Sequence, residues 1–450
     1  LGQDVLGLPF DDAQLAQALG YAALVVILAE GGLTTSWPTI RPVVPVAAAL
    51  ATVGTAVSLL VTMLAAHLLL DVDWQEAALV GAVLAPTDSA AVFSVLRRVP
   101  LPRSLAGTLE AESGFNDAPA VILVVALAGA HAPTWWHLGL LLVYELAVGA
   151  AVGLAVGWLG AWGVRRIALP ASGLYPLAVL ALCVAAYGAA AVAHASGFLA
   201  VYLAAVVLGN ARLPHRPATR GFAEGAAWLA QIGLFVMLGL LATPSELGSA
   251  ILPALGVGLV LLLLARPASV LVSTLPFRVP WREQAFLSWA GLRGAVPIVL
   301  STVPGDRDIF NLVFVLVAVF TVVQAPVLPW VASRLRIAMG THAQALDIES
   351  SPLTRLDADL LHVTVHPGSR LSGVEIFELR LPTGAAITLV VRSGLAFVPT
   401  PRTPLQTGDE LIVVATSSVR DEVERRLRAV SRSGRLAGWL HWGERPGERR

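Results

Sequence analysis

Eleven apolar stretches, each of spanning length, constrain this chain more than any motif in it. They run at about 13 to 33, 43 to 69, 76 to 99, 105 to 130, 137 to 163, 173 to 193, 196 to 210, 222 to 242, 249 to 275, 284 to 302 and 309 to 333. A helix needs about 20 mostly apolar residues to cross a bilayer. In lipid every backbone donor and acceptor must be satisfied inside its own segment, so such a chain is expected to fold as an all-α polytopic bundle. With 56% hydrophobic and only 13% charged residues, an ordinary soluble enzyme is excluded.

The loops between the stretches alternate in charge. Arg41, Arg97, Arg98, Arg103, Arg165, Arg166, Arg212, Arg216, Arg220, Arg278, Arg282, Arg334 and Arg336 fall on one side, and only Arg307 on the other. The positive-inside rule makes the first side cytoplasmic, together with everything after Arg336. The chain begins at Leu1 with no charged-then-apolar secretory leader, so it is expected to be a fragment or to carry trimmed numbering. Its one cysteine, Cys183, excludes an internal disulfide and a thiolate zinc cluster, and reads as a small packed hydrophobe.

One span is not apolar throughout. From Gly107 to Val125 the chain reads G-T-L-E-A-E-S-G-F-N-D-A-P-A-V-I-L-V-V, which places Glu110, Glu112, Asn116 and Asp117 within a helix. An ionised carboxylate at the bilayer centre costs about 3 kcal/mol or more, so it faces a polar cavity with a partner. Asp117, followed by a long apolar run, is the first candidate for a working residue. Glu110 also fits a helix-end acid wetted by headgroups. At 3.6 residues per turn Ser113 and Asp117 share a face, with Glu112 and Asn116 as a second ridge beside them.

Two further spans are interrupted. In A-V-L-A-P-T-D-S, Pro86 removes a backbone donor and disfavours helix at Ala85, beside Thr87 and Asp88. In A-G-L-R-G-A-V-P, Gly291, Gly294 and Pro297 do the same around Arg293. A proline kink accounts for either alone, but paired broken helices, each with a charge at the break, point to a midplane site lining a cavity. Arg266 and Arg293 lie in spans and need carboxylate partners, which Glu30, Asp88, Glu112 and Asp117 can supply. Thr87, Asp88, Ser113 and Asp117 offer the hard oxygen ligands that potassium or sodium prefers. No T-V-G-Y-G filter, H-E-x-x-H, G-x-S-x-G or Walker loop is present, which weighs against a channel, an intramembrane hydrolase and an ATP-driven pump.

Other features read as packing or anchoring. Gly149, Gly153 and Gly157 mark close helix approach, Trp135 and Trp136 an interfacial belt, and Asn210 and Gln231 interhelical hydrogen bonds. His194 reads as a satisfied or interfacial histidine rather than a proton relay.

The T-D at Thr87 and Asp88, E-S-G-F-N-D at Glu112 to Asp117 and G-L-R-G-A-V-P at Gly291 to Pro297 resemble the signatures of the bacterial sodium or potassium/proton antiporters of the first cation/proton antiporter family. The resemblance covers nearly the whole membrane part. It implies an inverted-repeat antiporter fold with two broken crossing helices, and Asp117 as the carboxylate that binds cation and proton in turn. Thr87, Asp88, Ser113, Glu112 and Asn116 would line the same site, with Arg293 balancing the acids and Glu30 paired with Arg266. Ser89 after T-D leans towards the potassium branch. Asn116, where electrogenic relatives carry a second acid, implies one cation for one proton. The family has thirteen spans and the first span here resembles its third, so two N-terminal spans are expected to be missing.

After the last span the composition turns polar. Residues 1–336 are read as the membrane domain, 337–357 as a linker, 358–428 as a small cytoplasmic α+β domain and 429–450 as a basic tail. Strands are expected at Leu361–Val365, Ala386–Val391 and Glu410–Thr416, with helices at Gly373–Leu381 and Ser418–Val430. The module resembles the C-terminal subdomain of regulators of potassium conductance, most recognisably in P-L-Q-T-G-D-E-L-I-V-V-A. That implies a small regulatory ligand or a homodimer contact. The expected partners are potassium or sodium, protons and membrane lipids. No enzyme activity, cofactor or nucleic acid is expected. A ligand-gated cation channel and a non-transporting membrane sensor stay open as alternatives.

Overall fold

The computed structural model describes residues 12–88, 92, 95, 101–129, 134–337, 346–353, 358–416 and 418–434; Ser89, Arg97, Arg98 and the tail from 435 lie outside the described residues. The chain divides into two compact units, Leu1–Ala338 and Met339–Arg450, each taken here by itself.

The first unit contains helices and, among its described residues, no strand. In chain order its elements are α1 (Ala13–Thr34), α2 (Val44–Leu70), α3 (Trp74–Val83), α4 (Arg103–Leu127), α5 (Trp135–Arg166), α6 (Leu174–Val192), α7 (Gly197–Asn210), α8 (Arg216–Leu241), α9 (Pro244–Phe277), α10 (Trp281–Trp289), α11 (Ala295–Leu300) and α12 (Arg307–Arg334). Seven of them, α1, α2, α5, α6, α8, α9 and α12, are long and apolar enough to cross a membrane. The other expected spans coincide with the shorter α7, the charge-bearing α4 and the two interrupted stretches. Leu, Val, Trp and Phe side chains are exposed all along α5, α8 and α9, an arrangement that suits a lipid-facing surface.

Both expected breaks are present. α3 stops at Val83 and the chain runs non-helically from Ala85 to Asp88; α10 stops at Trp289 and helix resumes only at Ala295. The breaks meet, because the Asp88 amide donates to the Leu292 carbonyl at 2.8 Å. Unwound backbone at this depth needs partners for its carbonyls. Arg293 supplies two of them, donating from Nε to Leu84 O at 3.2 Å and from its terminal nitrogen to Gly291 O. Gln324 bonds the Trp289 carbonyl, and Thr321 donates to that of Arg293 at 3.3 Å.

Symmetry between the two halves extends to the helices that precede the breaks. α2 carries a π-turn at Leu50–Gly54 and α9 one at Leu261–Ala265, and each packs against the other helix, the first on Arg266–Thr274 and the second on Thr55–Leu70. Gly54 closes the first π-turn where the hydroxyls of Ser269 and Ser273 come within 2.8 and 2.9 Å of the place a Cβ would occupy, so only glycine fits. The four-residue glycine repeat of α5 packs on α7: a Cβ at Gly149 or Gly153 would lie 2.6 or 2.5 Å from the carbonyl of Ser196 or Ala200. Asn210 joins α7 to the turn after α1, accepting from the Trp37 amide and donating to the Thr35 carbonyl, both at 2.9 Å.

The second unit is an antiparallel sheet with one helix. β1 (Leu346–Leu353), β2 (Ala358–Val365), β3 (Ala385–Arg392), β4 (Leu395–Phe397) and β5 (Glu410–Thr416) lie in the order β1-β2-β5-β3-β4, followed by α13 (Arg420–Ser433). β1 corrects the expected linker: the stretch 337–357 contains a strand paired with β2 in unbroken register from Leu346↔Val365 to Leu353↔Ala358. Its D-I-E-S-S-P composition reads as polar linker, but an edge strand needs only one partner ladder to be formed. The expected helix at Gly373–Leu381 is a single 3-10 turn, Ile376–Leu379. Leu361, Val363, Leu411, Val413, Val423 and Leu427 form the core of this unit. Asp409 is fully buried and accepts two bonds of 2.8 Å from Arg392, which its carboxylate holds above the usual arginine range.

Candidate functional site in the membrane unit

Two carboxylates on α4 meet opposite fates. Glu112 is 1% exposed and takes both terminal nitrogens of Arg266 in a bidentate pair at 2.5 and 3.0 Å. Asp117, five residues on, lines a cavity of about 620 Å³ with Thr87, Asp88, Ser113, Glu30, Glu110, Tyr202 and Glu224. It is 7% exposed, its Oδ1 is buried without a hydrogen-bond partner, and Asp88 is near enough to act on it electrostatically. Burial removes the water that would otherwise solvate that oxygen, so the structure leaves charge on Asp117 to be met by something that enters.

The breaks place the neighbours. Thr87 stands in the unwound segment and its hydroxyl accepts from Asn116 Nδ2 at 2.8 Å, which ties α4 to the first break. Asn116 thus serves the frame rather than the cavity wall, although its Oδ1 is left unpartnered. Gly294 fits because the Asp88 carboxylate lies against it: a Cβ there would be 1.7 Å from Asp88 Oδ2. Gly291 does the same for the other charge, since its Cβ would sit 2.5 Å from Arg266 Nε. The two glycines of G-L-R-G therefore make room for an acidic side chain from the first break and a basic one from α9.

Glu30 does not pair with Arg266, contrary to the expectation from the resemblance. α1 packs mainly on α7 and α8, whereas Arg266 lies at the start of the second half of α9, within reach of α4, where Glu112 satisfies both its terminal nitrogens. Glu30 lines the cavity instead. Arg293 forms no ion pair among the described residues; it holds freed carbonyls, with one terminal nitrogen unpartnered, and Glu112 acts on it only through space. Glu112 and Asn116 are absent from the cavity lining, so the expected ligand set of Asp117, Asp88, Thr87, Ser113, Glu112 and Asn116 divides into four wall residues and two that hold the frame.

Two wall residues escape the sequence reading. Tyr202 lies in an apolar run where one hydroxyl carries little signal. Glu224 repeats the A-E-G of Glu30 as Ala223-Glu224-Gly225, and that repetition was the available clue. Gly114, central in E-S-G-F-N-D, is explained by Tyr202: a Cβ there would be 2.3 Å from the tyrosine ring. Among the described residues no three His, Cys, Asp or Glu side chains converge closely enough to hold a metal ion.

Comparison with known proteins agrees with this arrangement. The model of the family described as sodium/hydrogen exchanger, transmembrane, matches residues 1–334, and that of the TrkA-C domain matches 360–428. A protein of Alkalimonas amylolytica named K(+)/H(+) antiporter NhaP is 41% identical over 73% of this chain and 60% of its own length. One of Shewanella baltica named K(+)/H(+) antiporter NhaP2 is 34% identical over 91% of this chain and 73% of its own. The chain thus spans about three-fifths to three-quarters of the length of these relatives. Among solved structures, the sodium proton antiporter MjNhaP1 of Methanocaldococcus jannaschii superposes with a TM-score of 0.66 at 22% identity, over 74% of this chain and 89% of that one, which shows the shared fold. Two broken helices that meet beside a buried aspartate, and a family model that matches residues 1–334, place this multi-pass membrane chain in the sodium/hydrogen exchanger family, with a TrkA-C domain after the helical unit.

Proposed function

We propose that the chain is a secondary antiporter that exchanges potassium, or sodium, for protons across a prokaryotic plasma membrane. The observation that carries this reading is the buried Asp117, which lines a cavity beside the meeting point of two broken helices and has an oxygen with no protein partner. A carboxylate in that position has two ways to lose its charge penalty, by taking a proton or by taking a cation, and it cannot do both at once. Competition for one group, presented to each side in turn, is antiport by alternating access. Asp88, Thr87 and Ser113 are the further oxygen donors around the ion. Glu112 and Arg266 cancel within the frame and take no part in the cycle. The names of the relatives favour potassium over sodium as the cation.

Only Asp117 changes charge in this scheme, because Asn116 is neutral, so the exchange is one cation for one proton and feels no membrane voltage. The TrkA-C domain, cytoplasmic by the arginine count, is a regulator outside the ion path and acts through a ligand or through a homodimer.

The test is dequenching of a pH dye in vesicles on addition of each alkali cation. Exchange should vanish in Asp117→Asn, which can neither release a proton nor offset a cation, while the variant folds and inserts. Near-normal exchange by that variant, or an end-point cation gradient that moves when the vesicles are clamped at another potential, defeats the corresponding part of the reading.

A further inference from the structure

The cavity is larger than a site at Asp117 needs. Seven residues before Asp117 on the same face of α4, a rise of roughly 10 Å, Glu110 lines the same space, joined by Glu30 from α1 and Glu224 from α8. None of the three forms an ion pair among the described residues. Glu110 accepts a hydrogen bond from the Thr35 hydroxyl, and Glu30 lies within electrostatic reach of both Glu110 and Glu224. This end of the cavity therefore gathers three acidic side chains with no ion-pair partner among the described residues.

Tyr202 stands between the two ends. It is 2% exposed, its ring meets Phe115 edge-on at 5.5 Å, and its hydroxyl, which lies beside Thr35 and Glu110, makes no hydrogen bond of good geometry. That hydroxyl lies 2.8 Å from where a Cβ of Gly114 would be, and Gly114 is one turn from both Glu110 and Asp117. A phenol on a cavity wall whose hydrogen bonding is incomplete keeps an oxygen lone pair to offer to an ion. Because no three acidic side chains among the described residues converge closely enough to chelate a metal, this end fits a divalent ion less well than a monovalent one. A monovalent cation that keeps part of its water shell fits: the carboxylates supply charge at a distance and the hydroxyl replaces one water as the ion moves inward.

We infer that the Glu110 and Glu224 end of the cavity, with the Tyr202 hydroxyl at its inner edge, is a second cation station from which the ion is handed to Asp117. The inference rests on the antiport reading of Asp117, but it is separable by experiment. Equilibrium binding of radiolabelled rubidium and of radiolabelled sodium is measured on the purified full chain at alkaline pH. Two ions per chain are expected, with one remaining in Asp117→Asn. Glu224→Gln and Tyr202→Phe should each weaken one of the two by about tenfold. Tyr202→Phe keeps the ring that packs on Gly114 and Phe115, and in vesicles it should raise the apparent KM for the cation more than it lowers the maximal rate. A single ion per chain that disappears in Asp117→Asn and is untouched by Glu224→Gln overturns the outer station and leaves antiport at Asp117 standing. Two ions that persist in Asp117→Asn, one of them lost in Glu224→Gln, support the station and overturn the assignment of Asp117.

Discussion

Glu112 and Asp117 sit on one helix, both buried, and the protein treats them as opposites. Glu112 is closed by Arg266 in a fork of two bonds, and its pair is sealed from the cavity. Asp117 lines the cavity and has a buried oxygen without a hydrogen-bond partner. A buried charge that is fully compensated holds a fold in one arrangement, whereas one left uncompensated must find its counter-charge in something that enters, which is the role proposed for Asp117. Asp409 in the second unit belongs with Glu112, since it is fully buried and closed by Arg392 in the same bidentate manner.

Breaking the two carboxylates should therefore give two different phenotypes. Asp117→Asn abolishes exchange without loss of folded protein. Glu112→Ala strands a buried arginine and should cost about 3 to 5 kcal/mol of stability, read from unfolding in detergent. Glu112→Leu combined with Arg266→Met should recover most of that stability, and failure to do so would mean that the pair has a role beyond the frame. The glycines sharpen the same contrast. Gly294→Ala drives a methyl into the Asp88 carboxylate and should lower the exchange rate by about 100-fold, the scale of a displacement of about 1 Å in a working site. Gly291→Ala meets Arg266 instead, and should lower the unfolding midpoint more than it lowers the rate of the protein that remains folded. The smallest effect belongs to the second unit. A chain ending at Arg336 should still exchange, with its cation affinity or pH midpoint moved by roughly 5-fold to 150-fold. Total loss in an inserted truncation would make the TrkA-C domain part of the working machine.

Much of this was legible in the sequence. Apolar run lengths and the arginine bias give the helical class, because the bilayer imposes length and charge rules on each segment separately. Pro86 and the G-L-R-G stretch mark both breaks, because proline and glycine act on their own backbone. Asp117, in an apolar surround, is conspicuous for the same local reason. The module boundary was legible only in part, since β1 exists through its ladder with β2 and not through its own composition.

What the sequence could not settle was which charges meet. Arg266 had four carboxylates to choose from, and Glu30 and Glu112 are equally acidic in one dimension; only the packing of α9 on the face of α4 selects Glu112. Tyr202 and Glu224 become cavity walls, and Gly114 becomes a seat for a tyrosine ring, only because α1, α4, α7 and α8 surround one space. Hydrophobicity, helix breaking and the cost of a buried charge belong to a residue and its immediate neighbours, so the sequence determined them. Compensation of a charge belongs to a pair, and pairs separated by more than 150 residues are decided by the tertiary structure alone.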